Sequence, residues 1–279
     1  MGISSNVLWH QTRKKGLMNI LKTRKLYYSY CLESILANNE FHSIAFPMVS
    51  LCDLPLSEFG ENKWTYGNYA IGLSRSWAMK QGFNPVCYCH QGSKYLQTMM
   101  DSLNHAAKTL DENLILKALY PFSYMKLVEG ALPKKNFKKY RFYDEKEVRL
   151  VPRLGSAELD SYPFFLIDRQ YAKYKNSNGN SLLGTNGIDF SYADVKYIIV
   201  DKENNRSEIQ ALFGKLGVEY AHIVILTKEE VLGDIVGSNH NVVLNNEVGV
   251  VKYPNIKDLA LKVAEEYYKK NKKKEVNIW

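Results

Sequence analysis

Cysteine is scarce: Cys31, Cys52, Cys87 and Cys89 are the four among 279 residues. No charged start with a long apolar run opens the chain, so no signal peptide is expected. Met1-Gly2 does not complete a myristoylation signal, because Asn6 stands where Ser or Thr is needed. No stretch approaches the length of a membrane span. Together these absences predict a cytoplasmic protein with reduced thiols and no membrane partner. No phosphate-binding glycine loop or Ser-His-Asp elbow is present. Cys87-Tyr88-Cys89-His90 would place two thiols on one face of a strand, but no second Cys or His pair follows at a usual zinc spacing. A buried structural pair is expected there, and no metal site. There is no internal repeat and no extended low-complexity segment.

What is present is ordinary in bulk for a soluble globular protein. Hydrophobic residues make up 46% and charged residues 24%, and the length allows one large domain or two small ones. Tyrosine is over-used, at 20 residues; its half-polar ring suits contact with a flat ligand or a partner. The formal charge of +8 is partly local. Lys269, Lys270, Lys272, Lys273 and Lys274 crowd the C-terminal end, where they read as cations at the end of a helix. Lys134, Lys135, Lys138, Lys139 and Arg141 crowd the segment before Glu147, interleaved with Phe137, Tyr140, Phe142 and Tyr143. Two readings stand for that segment. It is a loop that neutralises phosphates and stacks bases, as in single-stranded nucleic-acid binding, or a solvated loop with its aromatics turned inward.

Hydrophobic spacing predicts strands near 7–9, 49–52, 69–73, 86–89, 124–128, 147–152, 195–200 and 222–226. A short helix with Leu17, Ile20 and Leu21 on one face follows the first strand. Further helices are expected at 74–80, with Ser74 as N-cap and Gly82 past the end, and at 94–110 and 112–119, the last stopped ahead of Pro121. Others are expected at 207–216, from 228, and at 256–270, with a hairpin at 239–252. Residues 130–143 and the polar stretch 172–187 read as loops. The pattern is α+β, not a regular βαβ array. A core over 1–200 is expected, with an α/β C-terminal extension over 201–279 packed on it.

Leu8-Trp9-His10-Gln11-Thr12-Arg13 resembles the first nicotinamide-pocket motif of ADP-ribosyltransferases of the His-Tyr-Glu type, as in the poly-ADP-ribose polymerase catalytic domain, and is similar to the DarT-like toxins. A wider series resembles the bacterial abortive-infection family AbiGi. It runs through Phe46-Pro47-Met48-Val49-Ser50-Leu51-Cys52-Asp53-Leu54-Pro55-Leu56-Ser57, Tyr66-Gly67-Asn68-Tyr69-Ala70-Ile71-Gly72-Leu73-Ser74 and Asn84-Pro85-Val86. It closes at Tyr143-Asp144-Glu145-Lys146-Glu147-Val148-Arg149, so the likeness covers roughly residues 6 to 200 as an ordered set of motifs.

The resemblance implies an ADP-ribosyltransferase-like mixed β-sheet core with surrounding helices, NAD as substrate, and a role in phage defence by abortive infection or a toxin–antitoxin pair. It assigns the adenosine-side ribose to His10 and the nicotinamide amide to the backbone around Gln11 and Thr12; Gln11 stands where the polymerases have Gly. Tyr66 or Tyr69 would stack on nicotinamide, and Asp53 and Ser57 would lie near ribose. Glu147 would be the catalytic glutamate, beside a long loop, with its carboxylate facing a cleft. Breaking the bond between nicotinamide and ribose C1 passes through an oxocarbenium-like state, which a carboxylate can stabilise. Glu145, two residues away, would share the cleft and act toward the acceptor, in a pattern similar to the Glu-x-Glu of arginine-modifying transferases. The competing reading of this pair is a solvated acidic turn balancing Lys146 and Arg149. The implied partners are a nucleic acid or protein target, or a cognate toxin, antitoxin or phage protein. Two other functions stay open: a catalytically inactive binding module of the same fold, antitoxin or phage sensor, and an RNA-binding protein or nuclease.

Overall fold

The first strand, β1 (Val7–Thr12), passes into α1 (Lys14–Thr23), whose Leu17, Ile20 and Leu21 are buried together as their spacing requires. In this computed structural model the described residues are 5–37, 40–59, 64–132, 137–155, 162–176 and 183–233. After β2 (Lys25–Tyr27), β3 (Ser29–Ala37) and β4 (Glu40–Cys52) form a long antiparallel hairpin in register from Ser29↔Met48 to Ala37↔Glu40. The sequence pattern points only to 49–52 as strand; pairing with β3 carries β4 back to Glu40. β5 (Tyr69–Ser74) leads into α2 (Arg75–Gln81), where the Ser74 side chain accepts the Trp77 N–H and Gly82 follows the end.

Two short strands, β6 (Asn84–Pro85) and β7 (Cys87–Cys89), precede the helical pair α3 (Lys94–Lys108) and α4 (Glu112–Leu119). Pro121 turns the chain from α4 into a 3-10 turn, Tyr120–Tyr124. β8 (Met125–Leu127), β9 (Gly130–Leu132), β10 (Phe137–Tyr140) and β11 (Glu147–Leu150) follow. The basic segment expected as a loop over 130–143 therefore contains a β9–β10 ladder, because its alternating residues find partners in each other. β12 (Leu166–Ile167) continues into α5 (Asp168–Asn176), so the first part of the stretch read as a polar loop is helical, held by buried Tyr174. β13 (Gly187–Asp189), β14 (Val195–Val200), α6 (Glu203–Leu216), β15 (Val224–Thr227) and α7 (Lys228–Gly233) complete the described chain. The expected hairpin at 239–252, the helix at 256–270 and its lysines lie outside the described residues.

Nine strands form one mixed sheet among the described residues, ordered β15-β14-β5-β1-β4-β11-β6, with β3 and β12 also paired to β4. β14 and β15 run parallel; the other ladders of this sheet are antiparallel. One face carries Leu8, Leu51, Ile71, Val148 and Ile198 against α1, α2, α5 and α6. The opposite face holds two separate clusters. Ile44, Phe46 and Met48 pack on α3 and α4, while Val7, Trp9, Ala70 and Ile199 pack on Phe59, Trp64 and Val231. Trp9, Cys52 and Glu147 are register partners across three strands, as are Ser50 and Arg149 across two. Register partners share a face, so Glu147 and Arg149 project onto the side with the two clusters.

Candidate functional site

β11 places a charged pair in an otherwise apolar strand: Glu147 and Arg149 alternate with Val148 and Leu150. The period of two sends both to one side. Arg149 is wholly buried there, and each of its five N–H donors has an acceptor. Nε donates to Glu147 Oε1 at 2.7 Å, Nη2 to Glu147 Oε2 at 2.9 Å and to Glu33 Oε1 at 2.5 Å, and Nη1 to the carbonyls of Ser123 at 2.9 Å and Met125 at 3.3 Å. Lys126 of β8 closes the other side. Its Nζ donates at 2.8 Å to both Glu147 Oε2 and Glu145 Oε2, and lies 4.9 Å from the Phe142 ring centroid. Three carboxylates, those of Glu33, Glu145 and Glu147, thus surround two cations in the interior.

Electrostatics follow from that packing. Burial pushes the Glu147 carboxyl up, but the charges and hydrogen bonds of Arg149 and Lys126 win and hold it well below the ordinary carboxylate range. Burial lowers Lys126, yet Glu147 and Glu33 overcome it and the ammonium stays charged. Glu33 moves up, chiefly through burial. The network reaches the surface through tyrosines. Tyr66 Oη donates to Glu145 Oε1 at 2.9 Å while its ring stays half exposed. Tyr88 Oη accepts the Glu147 N–H at 2.8 Å. Tyr140 also engages Glu145 and Thr65 through its hydroxyl. Burial raises all three phenols, so they remain neutral donors and acceptors.

Several expectations change on this geometry. Glu147 does not face an open cleft; it is buried because Arg149 and Lys126 compensate its charge. Glu145 ends a 3-10 turn, Phe142–Glu145, and meets Glu147 across Lys126 after left-handed Lys146 at φ 44°. Of the two candidate stacking rings, Tyr66 joins the carboxylates, whereas Tyr69 is buried in the core with its hydroxyl on Asn205 Oδ1 at 3.0 Å. Gly67 sets the position of Tyr66. Its φ is 148°, and a Cβ there would lie 2.0 Å from the Thr12 carbonyl oxygen, so the turn rests directly on the end of β1. Thr12 and half-buried Gln11 end β1 beneath it.

His10 is elsewhere. Its Nδ1 lies 3.1 Å from the Ser50 carbonyl oxygen, in the gap where β1 leaves β4, and burial lowers its pKa. Asp53 pairs with Arg75 and accepts the Ser5 N–H at 3.2 Å, and Ser57 is exposed in the turn Leu56–Glu58. Lys134 and Lys135 lie outside the described residues, while Phe137, Lys138 and Lys139 belong to β10. Arg141 pairs with Asp144 at 3.3 Å and lies 5.7 Å from the Tyr143 ring centroid. No group of three or more metal-binding side chains occurs among the described residues. No helix among them is long and apolar enough to cross a membrane. Sequence reasoning missed Glu33 and Lys126. The signal that pointed toward this network was an Arg two residues from a Glu in an apolar strand.

Residues 24–201 match the family model described as "Putative abortive phage resistance protein AbiGi, antitoxin". That span contains Glu33, Tyr66, Lys126, Glu145, Glu147 and Arg149, and begins after His10. The abortive phage resistance protein AbiGi of Lactococcus lactis subsp. cremoris is 28% identical over 194 residues, covering 58% of this chain and 74% of that protein. No solved structure matches. With its matched span reaching from β2 to the end of β14, the chain belongs to the AbiGi family of abortive phage resistance proteins.

Proposed function

We propose that the chain serves abortive phage resistance as a binding protein of the antitoxin kind, engaging a toxin partner rather than turning over NAD. One observation carries this reading: both oxygens of Glu147 are committed to Arg149 and Lys126. A carboxylate stabilises a developing oxocarbenium ion only if its charge is available to the substrate. Here two buried cations already neutralise it, and Arg149 has no donor left to rearrange. The residues at Glu147 therefore do not fit NAD as a substrate. The family description, which includes the word antitoxin, supports the same reading.

A second reading draws on Tyr66 and Glu145. The Tyr66 ring is half exposed, its hydroxyl meets a carboxylate that no arginine holds, and its turn sits on the end of β1. An NAD-dependent transferase acting on a nucleic acid or protein target would use this outer edge, with Glu145 in place of Glu147.

Isothermal titration with NAD, NAD turnover and growth of a bacterial host separate the two. The binding-protein reading expects no heat, no turnover and no growth arrest from the chain alone, with relief of arrest caused by a toxin encoded beside it. NAD turnover lost in Glu145→Gln would overturn it in favour of the second reading.

A further inference from the structure

Cys87 and Cys89 flank Tyr88 on β7, and their sulphurs lie on one side of the strand, 3.9 Å apart. The sequence leads to the expectation of a buried pair, but Cys87 is exposed and only Cys89 is buried. Parallel pairing sets Cys87 against Met125, Tyr88 against Lys126 and Cys89 against Leu127. A solvent-facing thiol thus covers a buried one at contact distance.

We propose that Cys87 and Cys89 form a reversible intrastrand disulfide, closed by exchange with a low-molecular-weight disulfide such as oxidised glutathione. The Cys87 thiolate attacks one glutathione sulphur. The glutathione S–S bond breaks, one half stays joined to Cys87 and the other leaves as a thiolate. The Cys89 thiolate then attacks the Cys87 sulphur, forming the Cys87–Cys89 bond and expelling the second glutathione. Two protein thiols are oxidised, one glutathione disulfide is reduced, and the two cysteine protons end on the two glutathione thiols.

Exposure fixes the order of events. Burial, and then the neighbouring Cys87, push the Cys89 thiol up to about 12, which leaves Cys87 as the group that meets the oxidant. The second step joins sulphurs already in contact, so proximity favours it over release of the adduct. Strand geometry places the two Cα atoms roughly 6.6 Å apart at about 3.3 Å per residue, near the upper end of the roughly 4.4–6.8 Å that a disulfide spans. Closure therefore draws β7 together at Tyr88, whose hydroxyl holds the Glu147 N–H.

The test treats the full chain with oxidised glutathione, quenches in acid, alkylates and maps peptides by mass. The peptide holding both cysteines should lose the mass of two hydrogens and resist alkylation, while Cys31 and Cys52 still react. Dithiothreitol should restore it. Cys89→Ser should trap glutathione on Cys87, and Cys87→Ser should leave Cys89 unmodified. A wild-type chain that stays fully alkylatable, that keeps glutathione on Cys87, or that links to a second chain through Cys87 would overturn the proposal.

Discussion

Glu147 and His10 are the two ends of the motif series, and the fold gives them opposite surroundings. Glu147 receives three N–H bonds from two buried cations. His10 meets one backbone carbonyl, that of Ser50, and burial keeps its ring neutral. β4 lies between their strands, and they project to opposite faces of the sheet: His10 is the register partner of Ile71 on the α1 side, whereas Glu147 shares the side of Trp9. A charge locked by its own counterions holds strands together and has little left for a substrate. A neutral imidazole on a single acceptor contributes less to the fold. The contrast separates a fully compensated charge from a lightly held ring within one sheet, and it can be broken from either side.

The largest effect should come from Arg149→Ala. It leaves Glu147 and Glu33 buried without their shared cation, and breaking a buried pair from one side costs on the order of 3–5 kcal/mol. Urea melts should show that loss; a change under about 1 kcal/mol would mean the carboxylates re-solvate, and that the network is looser than drawn. Next comes Glu147→Gln, which keeps the shape but strips Arg149 and Lys126 of one counter-charge. About 3 kcal/mol should go. His10→Ala should cost about 1 kcal/mol, the worth of one ordinary hydrogen bond.

Acid should dissect the same contrast by pH. The folded pKa of each group lies below its unfolded value. The unfolded chain therefore binds more protons, and stability is complete above the unfolded pKa and falls as pH drops toward the folded one. His10 opens its window below about pH 6.5 and Glu147 below about pH 4.3. Melts of the wild type should show both losses. Glu147→Gln should shrink the lower one, leaving the share of Glu208 and Glu230, and His10→Ala should remove the upper one. Unchanged profiles in both variants would remove the assignment.

Among the elements that sequence spacing located, two helices owe their order to local features. α3 and α4 carry their apolar stripes within a few turns, and Asp111 and Ser93 cap them with their own side chains. The β3–β4 hairpin was only partly legible, because its residues owe their strand state to each other and not to a period along one segment. Two of the three carboxylates of the candidate site were also visible. Glu145 and Glu147 were singled out by the resemblance, and Arg149 was visible as a counter-charge. Their burial was not. It depends on Lys126 and Glu33, which reach the site from β8 and β3, and no spacing near Glu147 announces either. Tyr66 and Tyr69 show the same limit, since three residues of separation send one hydroxyl to Glu145 and the other to Asn205.

An effect as small as that of His10→Ala tests the outer edge of the network. Tyr66→Phe removes one neutral hydroxyl and keeps the ring on its Gly67 turn. Glu145 keeps Lys126, so about 1 kcal/mol should be lost, as for a single hydrogen bond whose partner retains another donor. Tyr66→Ala removes the half-exposed ring as well and should cost somewhat more, through lost apolar contact. If the outer edge binds a flat ligand or a partner residue, Tyr66→Phe should keep that binding and Tyr66→Ala should lose it, because stacking needs the ring and not the hydroxyl. A Tyr66→Phe cost equal to that of Glu147→Gln would erase the difference between a locked interior and an adaptable rim. Equal stability of both Tyr66 variants with the parent, with partner binding intact, would confine the function to another surface of the protein.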